Sequence, residues 1–155
     1  MDDRKILEGI VTGTFSMEEL QERILDIFMA EIQAEIQRGT PVDTGKMRQR
    51  WHERRINRTQ IEYSNNTVYL PFHITGTGLY GPKHQMICAK GMSKRNPNRP
   101  HVMAWKPRGS STMIFRRCTR GMRPNSFIEK GIEAGIANGC EAVMDLFRSA
   151  DHVVS

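Results

Sequence analysis

Three histidines and two cysteines, His73, His84, His101, Cys88 and Cys118, fall in one stretch of the chain and are residue types that ligate zinc. Their spacing does not make a site, because no C-x-x-C or H-x-x-x-H pair is present. Ser110 and Ser111 lack the G-x-S-x-G setting of a hydrolase nucleophile. Gly76-Thr77-Gly78 lacks the spacing of a phosphate-binding loop. Carboxylates are missing from the one long polar loop, so no acid–base pair can be built there. No catalytic residue, metal or cofactor is assigned, and an enzyme is not expected. The cysteines number three, an odd and widely spaced set, which predicts reduced, partly buried thiols instead of a disulfide framework.

The chemistry the sequence does offer is electrostatic. Net charge is +6, and all 17 acidic residues lie in 1–62 or 129–155. The acid-free stretch between Tyr63 and Ile128 carries eleven cations, among them Arg116, Arg117, Arg120 and Arg123. The remainder holds twelve cations and every acid, a net charge of −5. Such segregation implies a polyanion or an acidic protein surface as partner; a merely solvated loop has little reason to exclude acids. Lys83, Lys90, Lys94, Arg95, Arg99, Lys106 and Arg108 are the candidate contacts to DNA or to an acidic partner.

The elements that must position these residues begin with a helix over Met17–Arg38. Ser16 and Glu19 form a capping box. Leu20, Ile24, Ile27, Phe28, Ile32 and Ile36 recur at helical spacing, with Gly39 and Pro41 as the stop. Asp43 or Thr44 can cap a second, short helix carrying Met47 and Trp51 inward. Ile56, then Ile61 and Tyr63, alternate with polar residues as strands do. Val68 to Ile74 is an apolar run that Pro71 restricts to an edge or irregular strand. Residues 76–109 predict a long basic loop or β-hairpin extension, and Ser111 to Arg117 a strand. The last helix follows a cap at Asn125 or Ser126. Its predicted inward stripe is Ile128, Ile132, Ile136, Cys140, Val143 and Phe147. Gly131, Gly135 and Gly139 lie on an adjacent line, implying close packing against the first helix or another subunit.

A chain of 155 residues suits a single domain over 1–155, with 1–15 as an N-terminal arm. No run approaches the roughly 18 apolar residues of a membrane helix. The start Met1-Asp2-Asp3-Arg4-Lys5 is not that of a secretory signal, so the expected setting is a cytoplasm, left only by lysis.

Three blocks, in order, resemble the head–tail joining or tail-completion (neck) proteins of long-tailed phages. Thr40-Pro41-Val42-Asp43-Thr44-Gly45-Lys46-Met47-Arg48 is similar to the family's "TPVDTGxLR". Val68 to Ile74, running into Gly76-Thr77-Gly78-Leu79-Tyr80-Gly81-Pro82-Lys83, resembles "YAPFVExGTGxYGPK". Met103-Ala104-Trp105-Lys106 and Arg120-Gly121-Met122-Arg123-Pro124-Asn125-Ser126-Phe127-Ile128 resemble the "LAW…GMxPxPFxxxA" ending. Together the blocks span most of 16–148. Two departures stand out: Ile74 replaces the family's Glu, and Gly91 to Arg99 is unusually basic. The resemblance implies an α+β fold, a small twisted antiparallel-type sheet flanked by two long helices. It implies a non-enzymatic virion part forming a ring, sixfold or twelvefold, that joins the tail to the DNA-filled capsid. The partners implied are other copies, neighbouring connector or tail-tube and terminator proteins, and the channel DNA, with no membrane. Asp43, Thr44, Gly45, Arg48, Gly76, Thr77, Gly78, Tyr80, Gly81, Arg123, Pro124 and Phe127 are the matching interface or loop-setting residues.

The competing reading is a free nucleic-acid-binding protein using the basic 83–123 segment, in which Tyr80, Trp105 and Phe115 would stack on bases. No recognition motif accompanies it.

Overall fold

A computed structural model describes residues 9, 12–14, 16–42, 45–92, 95–96, 98–107 and 109–153. Most of the predicted N-terminal arm, and Asp43, Thr44, Lys94 and Arg108, lie outside the described residues. The class is α+β, as expected, with two long helices and short antiparallel ladders. By internal contact the chain falls into two compact units, 1–67 with 126–155, and 68–125.

In the first unit, helix α1 spans Met17–Gly39. Ser16 caps it: the Ser16 hydroxyl accepts from the Glu19 backbone N–H (3.2 Å), and the Glu19 carboxylate accepts from the Ser16 N–H (3.0 Å). A one-turn helix, α2, follows at Lys46–Gln49 and buries Met47. Its N-cap is Gly45, at φ 78°, with no side-chain cap; the cap expected from Asp43 or Thr44 is corrected accordingly. Strands β1 (Trp51–Asn57) and β2 (Gln60–Asn65) form a hairpin with a register shift between Arg55 and Asn57. Trp51, predicted on the short helix, instead opens β1 and stacks on Tyr63, centroids 4.8 Å apart. Polar contacts run from α1 to this hairpin: Gln33 to Glu53, Gln37 to Tyr63, Arg58 to Glu18, and Arg55 to Asp26 and Glu22.

Helix α4, Phe127–Val153, packs on α1 through its glycines. A Cβ on Gly131 would lie 2.9 Å from Ile36 Cα, on Gly135 2.7 Å from Ile32 N, and on Gly139 2.6 Å from Phe28 Cδ1. Of the two partners left open for this glycine line, the first helix is the one observed. The predicted inward stripe is corrected by the same fact. Ile132, Ile136, Cys140 and Phe147 are exposed, because the backbone approach turns the glycine line, not the isoleucine line, toward α1. Leu146 is buried, packed with Ile27.

In the second unit, helix α3 spans Leu70–Thr75, where an edge strand was expected. Pro71 sits in its first turn, where a missing N–H costs nothing and φ is already helical. A 3₁₀ turn covers Gly78–Tyr80. The predicted extension and strand fold back as nested antiparallel pieces. Strand β3 (Ile87–Cys88) pairs with β6 (Cys118–Thr119), and β4 (Met103–Trp105) with β5 (Ile114–Arg116). Met92 and Pro100 form a bridge between them in sequence. The β3–β6 register sets Cys88 opposite Cys118, Cα atoms 4.0 Å apart, and the two form a disulfide. The expectation of reduced thiols is therefore corrected for this pair; spacing of 30 residues in sequence gave no sign of cross-strand adjacency.

Candidate functional site

The first predicted block folds into the end of α1. Thr40 is buried at 3% exposure; its hydroxyl donates to the Ile36 carbonyl (2.7 Å) and accepts from Trp51 Nε1–H (3.0 Å). Arg48 donates from Nε to the Gln37 carbonyl (2.8 Å) and from Nη2 to the Arg38 carbonyl (3.2 Å). A helix leaves its last carbonyls without internal partners, and a cation there also meets the negative end of the dipole. Arg48 thus closes the helix, and Gly45 gives the turn that lets it reach back. Asn65 fastens the hairpin to α2 by donating to the Met47 carbonyl (2.8 Å). Phe127 is buried against Gly39, Cβ to Cβ 3.4 Å once Gly39 is given a Cβ.

The second and third blocks meet inside the 68–125 unit. Thr77 N–H donates to Met122 O and Leu79 N–H to Arg120 O, both at 2.8 Å, while Met122 N–H donates to the Thr77 hydroxyl at 2.9 Å. The two segments therefore pair like short antiparallel strands. A Cβ on Gly76 would lie 2.9 Å from both Met122 O and Pro124 Cδ. Gly81 is equally tight, 3.0 Å from Gly76 O. The Arg123 guanidinium sits over the Tyr80 ring at 5.3 Å, a cation–π contact. Asn125 N–H closes the knot on His73 O (2.8 Å). Gly76, Thr77, Gly78, Tyr80, Gly81, Arg123 and Pro124 are thus brought together as one locked loop. Gly45, Arg48 and Phe127 belong to the other unit.

Beside the knot lies a groove of about 420 Å³ whose lining includes Phe72, Gly76, Lys83, Met86 and Ile87. Phe72, Met86 and Ile87 are each more than 40% exposed, so the groove is apolar and open to a partner. Lys90, Arg95, Arg99 and Lys106 are exposed on the loops and strands that follow. The unit's boundaries coincide with the charge boundary: 68–125 contains all eleven cations of the acid-free stretch and no carboxylate.

Sequence reasoning missed Thr40, Gly121, the groove residues Phe72 and Met86, and the exposed face of α4. Gly121 lies in a quoted block but its partner, Gly78, is 43 positions away. Among the described residues no group of three or more His, Cys, Asp or Glu is placed to hold a metal ion. No described helix is long and apolar enough to cross a membrane.

The described residues thus offer two locked loops, an open groove with apolar walls and a unit rich in cations. Residues 13–73 match the HK97-gp10-like family model, described as "Bacteriophage HK97-gp10, putative tail-component". The resemblance read from the sequence blocks is borne out over the stretch holding the first block and the start of the second. This supports a structural role in a virion, with other phage structural proteins as partners. No curated protein and no solved structure matches the chain.

Proposed function

We propose that this chain is one subunit of a ring at the head–tail junction of a tailed phage, a neck or tail-completion part that joins the tail to the DNA-filled capsid. The observation that carries the reading, beside the family match, is the charge split between compact units. The 68–125 unit is +11, whereas the rest of the chain is −5. A subunit with two oppositely charged units can associate head to tail, and such contacts form a ring where the rotation between copies closes.

In this reading the locked loop around Gly78 and Arg123 presents the groove and the basic loops to neighbours. These are further copies, in sixfold or twelvefold array, and adjoining connector, tail-tube or terminator proteins. Lys83, Lys90, Lys94, Arg95, Arg99, Lys106 and Arg108 face acidic surfaces of those proteins, since a channel that gripped phosphates would slow ejection. Gly45, Arg48 and Phe127 shape the helical body behind the interface, and Asp43 and Thr44 belong to the same sequence block as Gly45 and Arg48. Native mass measurement of the purified protein, and electron microscopy of virions with the chain located, test the proposal. A ring at the junction is expected; absence from mature particles overturns it.

A second reading, free binding of nucleic acid, draws on Phe115 (64% exposed) and Trp105 (37%) on the β4–β5 ladder among the cations. A gel shift with duplex DNA that weakens by about 0.9 log unit per phosphate contact per decade of salt would favour it. A flat salt response would exclude it.

A further inference from the structure

We propose that the exposed apolar face of α4 in one copy seats in the groove beside the glycine knot of the next copy. This rests on the ring reading above and names its contact. Ile132, Ile136, Cys140 and Met144 follow at four-residue steps and Phe147 comes three later, so they form one face of the helix. Ile132, Ile136, Met144 and Phe147 are 39–49% exposed, although α4 already packs on α1 through another line of residues. A run of large apolar side chains left in water on a helix otherwise well packed marks a contact surface.

The occupant follows from charge. Glu129 and Glu133 stand three residues before Ile132 and Ile136 and border the same face. Over 127–149 helix α4 carries four acids against Lys130 and Arg148, a net of −2. A parallel pairing of this face with its own copy would set these carboxylates against each other. The groove offers the opposite: Phe72, Met86 and Ile87 are exposed apolar walls, Lys83 is at the rim, and no acid exists anywhere in that unit. Apolar face meets apolar groove, and Glu129 and Glu133 meet Lys83 and its basic neighbours. Because the two surfaces differ, the contact is head to tail, the kind that a ring of identical subunits repeats. A stable interface takes about 800 Å² per partner, so the basic loops must supply the rim around this centre.

Cys140, exposed on the α4 face, is a built-in probe. Under mild oxidation the Phe72→Cys variant should give a ladder of covalent multimers, through bonds between the introduced thiol of one copy and Cys140 of the next, while the unaltered chain gives none. Ile136→Asp, at a 46% exposed position, should leave the fold intact by circular dichroism and shift native mass from the ring to the 17.8 kDa monomer. A Cys140–Cys140 dimer from the unaltered chain would establish a symmetric α4 contact and overturn the inference. So would rings that persist in Ile136→Asp, or rings without a ladder in Phe72→Cys, with the ring reading left standing. An unaltered chain that stays monomeric and is absent from virions would remove the ring reading itself, and this contact with it.

Discussion

Gly78 and Gly121 lie face to face across the paired segments of the 68–125 unit. A Cβ on Gly78 would fall 2.9 Å from Gly121 Cα, and one on Gly121 would fall 2.8 Å from Gly78 Cα. Both residues have positive φ, 65° and 89°. Neither can carry a side chain without parting the strands that the Leu79–Arg120 and Thr77–Met122 hydrogen bonds hold together.

Gly78→Val and Gly121→Ala should therefore each destabilise the loop by at least about 1–3 kcal/mol, strain and backbone collision acting together. Amide exchange should accelerate at Thr77, Leu79 and Met122 while the α1–α4 amides keep their protection. We expect soluble Gly78→Val protein that fails to join heads to tails; normal infectious yield would separate the knot from function.

Gly135→Ala tests the helix pair. In an open helix this change gains about 1 kcal/mol. Here the added methyl would lie 2.7 Å from Ile32 N, and overpacking of that kind costs about 1–3 kcal/mol. Denaturant melts should show net loss of stability. Ile132→Asp, at 39% exposure, should by contrast leave the monomer folded. Unfolding by Ile132→Asp would show that this position is covered within the monomer.

Removing the Cys88–Cys118 disulfide frees a loop of 30 residues. Chain entropy puts the cost at about 3.5 kcal/mol. Cys88→Ser, or a reductant, should loosen the β3–β6 pairing and leave the helix pair unaffected, as read by exchange mass spectrometry.

Thr40→Val keeps the shape of the side chain and removes its hydroxyl. Trp51 Nε1–H then loses its acceptor, at a cost of about 1 kcal/mol for a part-buried donor. Equilibrium unfolding should show the loss, and Trp51 fluorescence should report a changed environment.

Two groups predict opposite pH limbs. Hydrogen bonds from the Ser16 backbone N–H and hydroxyl hold the Glu19 carboxyl below its usual 4.5. A pKa lowered by folding stabilises the fold above the unfolded value, and that contribution fades as pH falls below 4.5 through the folded value. Burial pushes the Tyr63 phenol above 10.0, opposed by the hydrogen bond from Gln37. Its contribution is complete below pH 10.0 and lost as pH rises through the higher folded value. Thermal melts across both ranges should show the acid limb flattened in Glu19→Gln and the alkaline limb in Tyr63→Phe.

Local signals were legible where neighbours in sequence decide the outcome. Ser16, Glu19 and the stripe from Leu20 to Ile36 determine α1, because a capping box and helical periodicity need only residues three or four apart. The alternation of Ile61 and Tyr63 in β2, the stop at Gly39 and the acid-free run were equally plain. Pro71 was ambiguous: it fits the first turn of a helix as well as a strand edge, and only the observed helix settles it.

The sequence by itself determined the capped helix, the α+β class, the charge split and the motif blocks, the first of which lies within residues 13–73 that match a phage tail-component family model. The tertiary structure alone decided that Gly78 meets Gly121, that Cys88 meets Cys118, that Arg48 closes α1, and that α4 turns its glycines to α1 and its isoleucines to solvent. The reason is range. Apolar periodicity shows that a face needs cover but not what covers it, and close backbone approach depends on residues far apart in the chain.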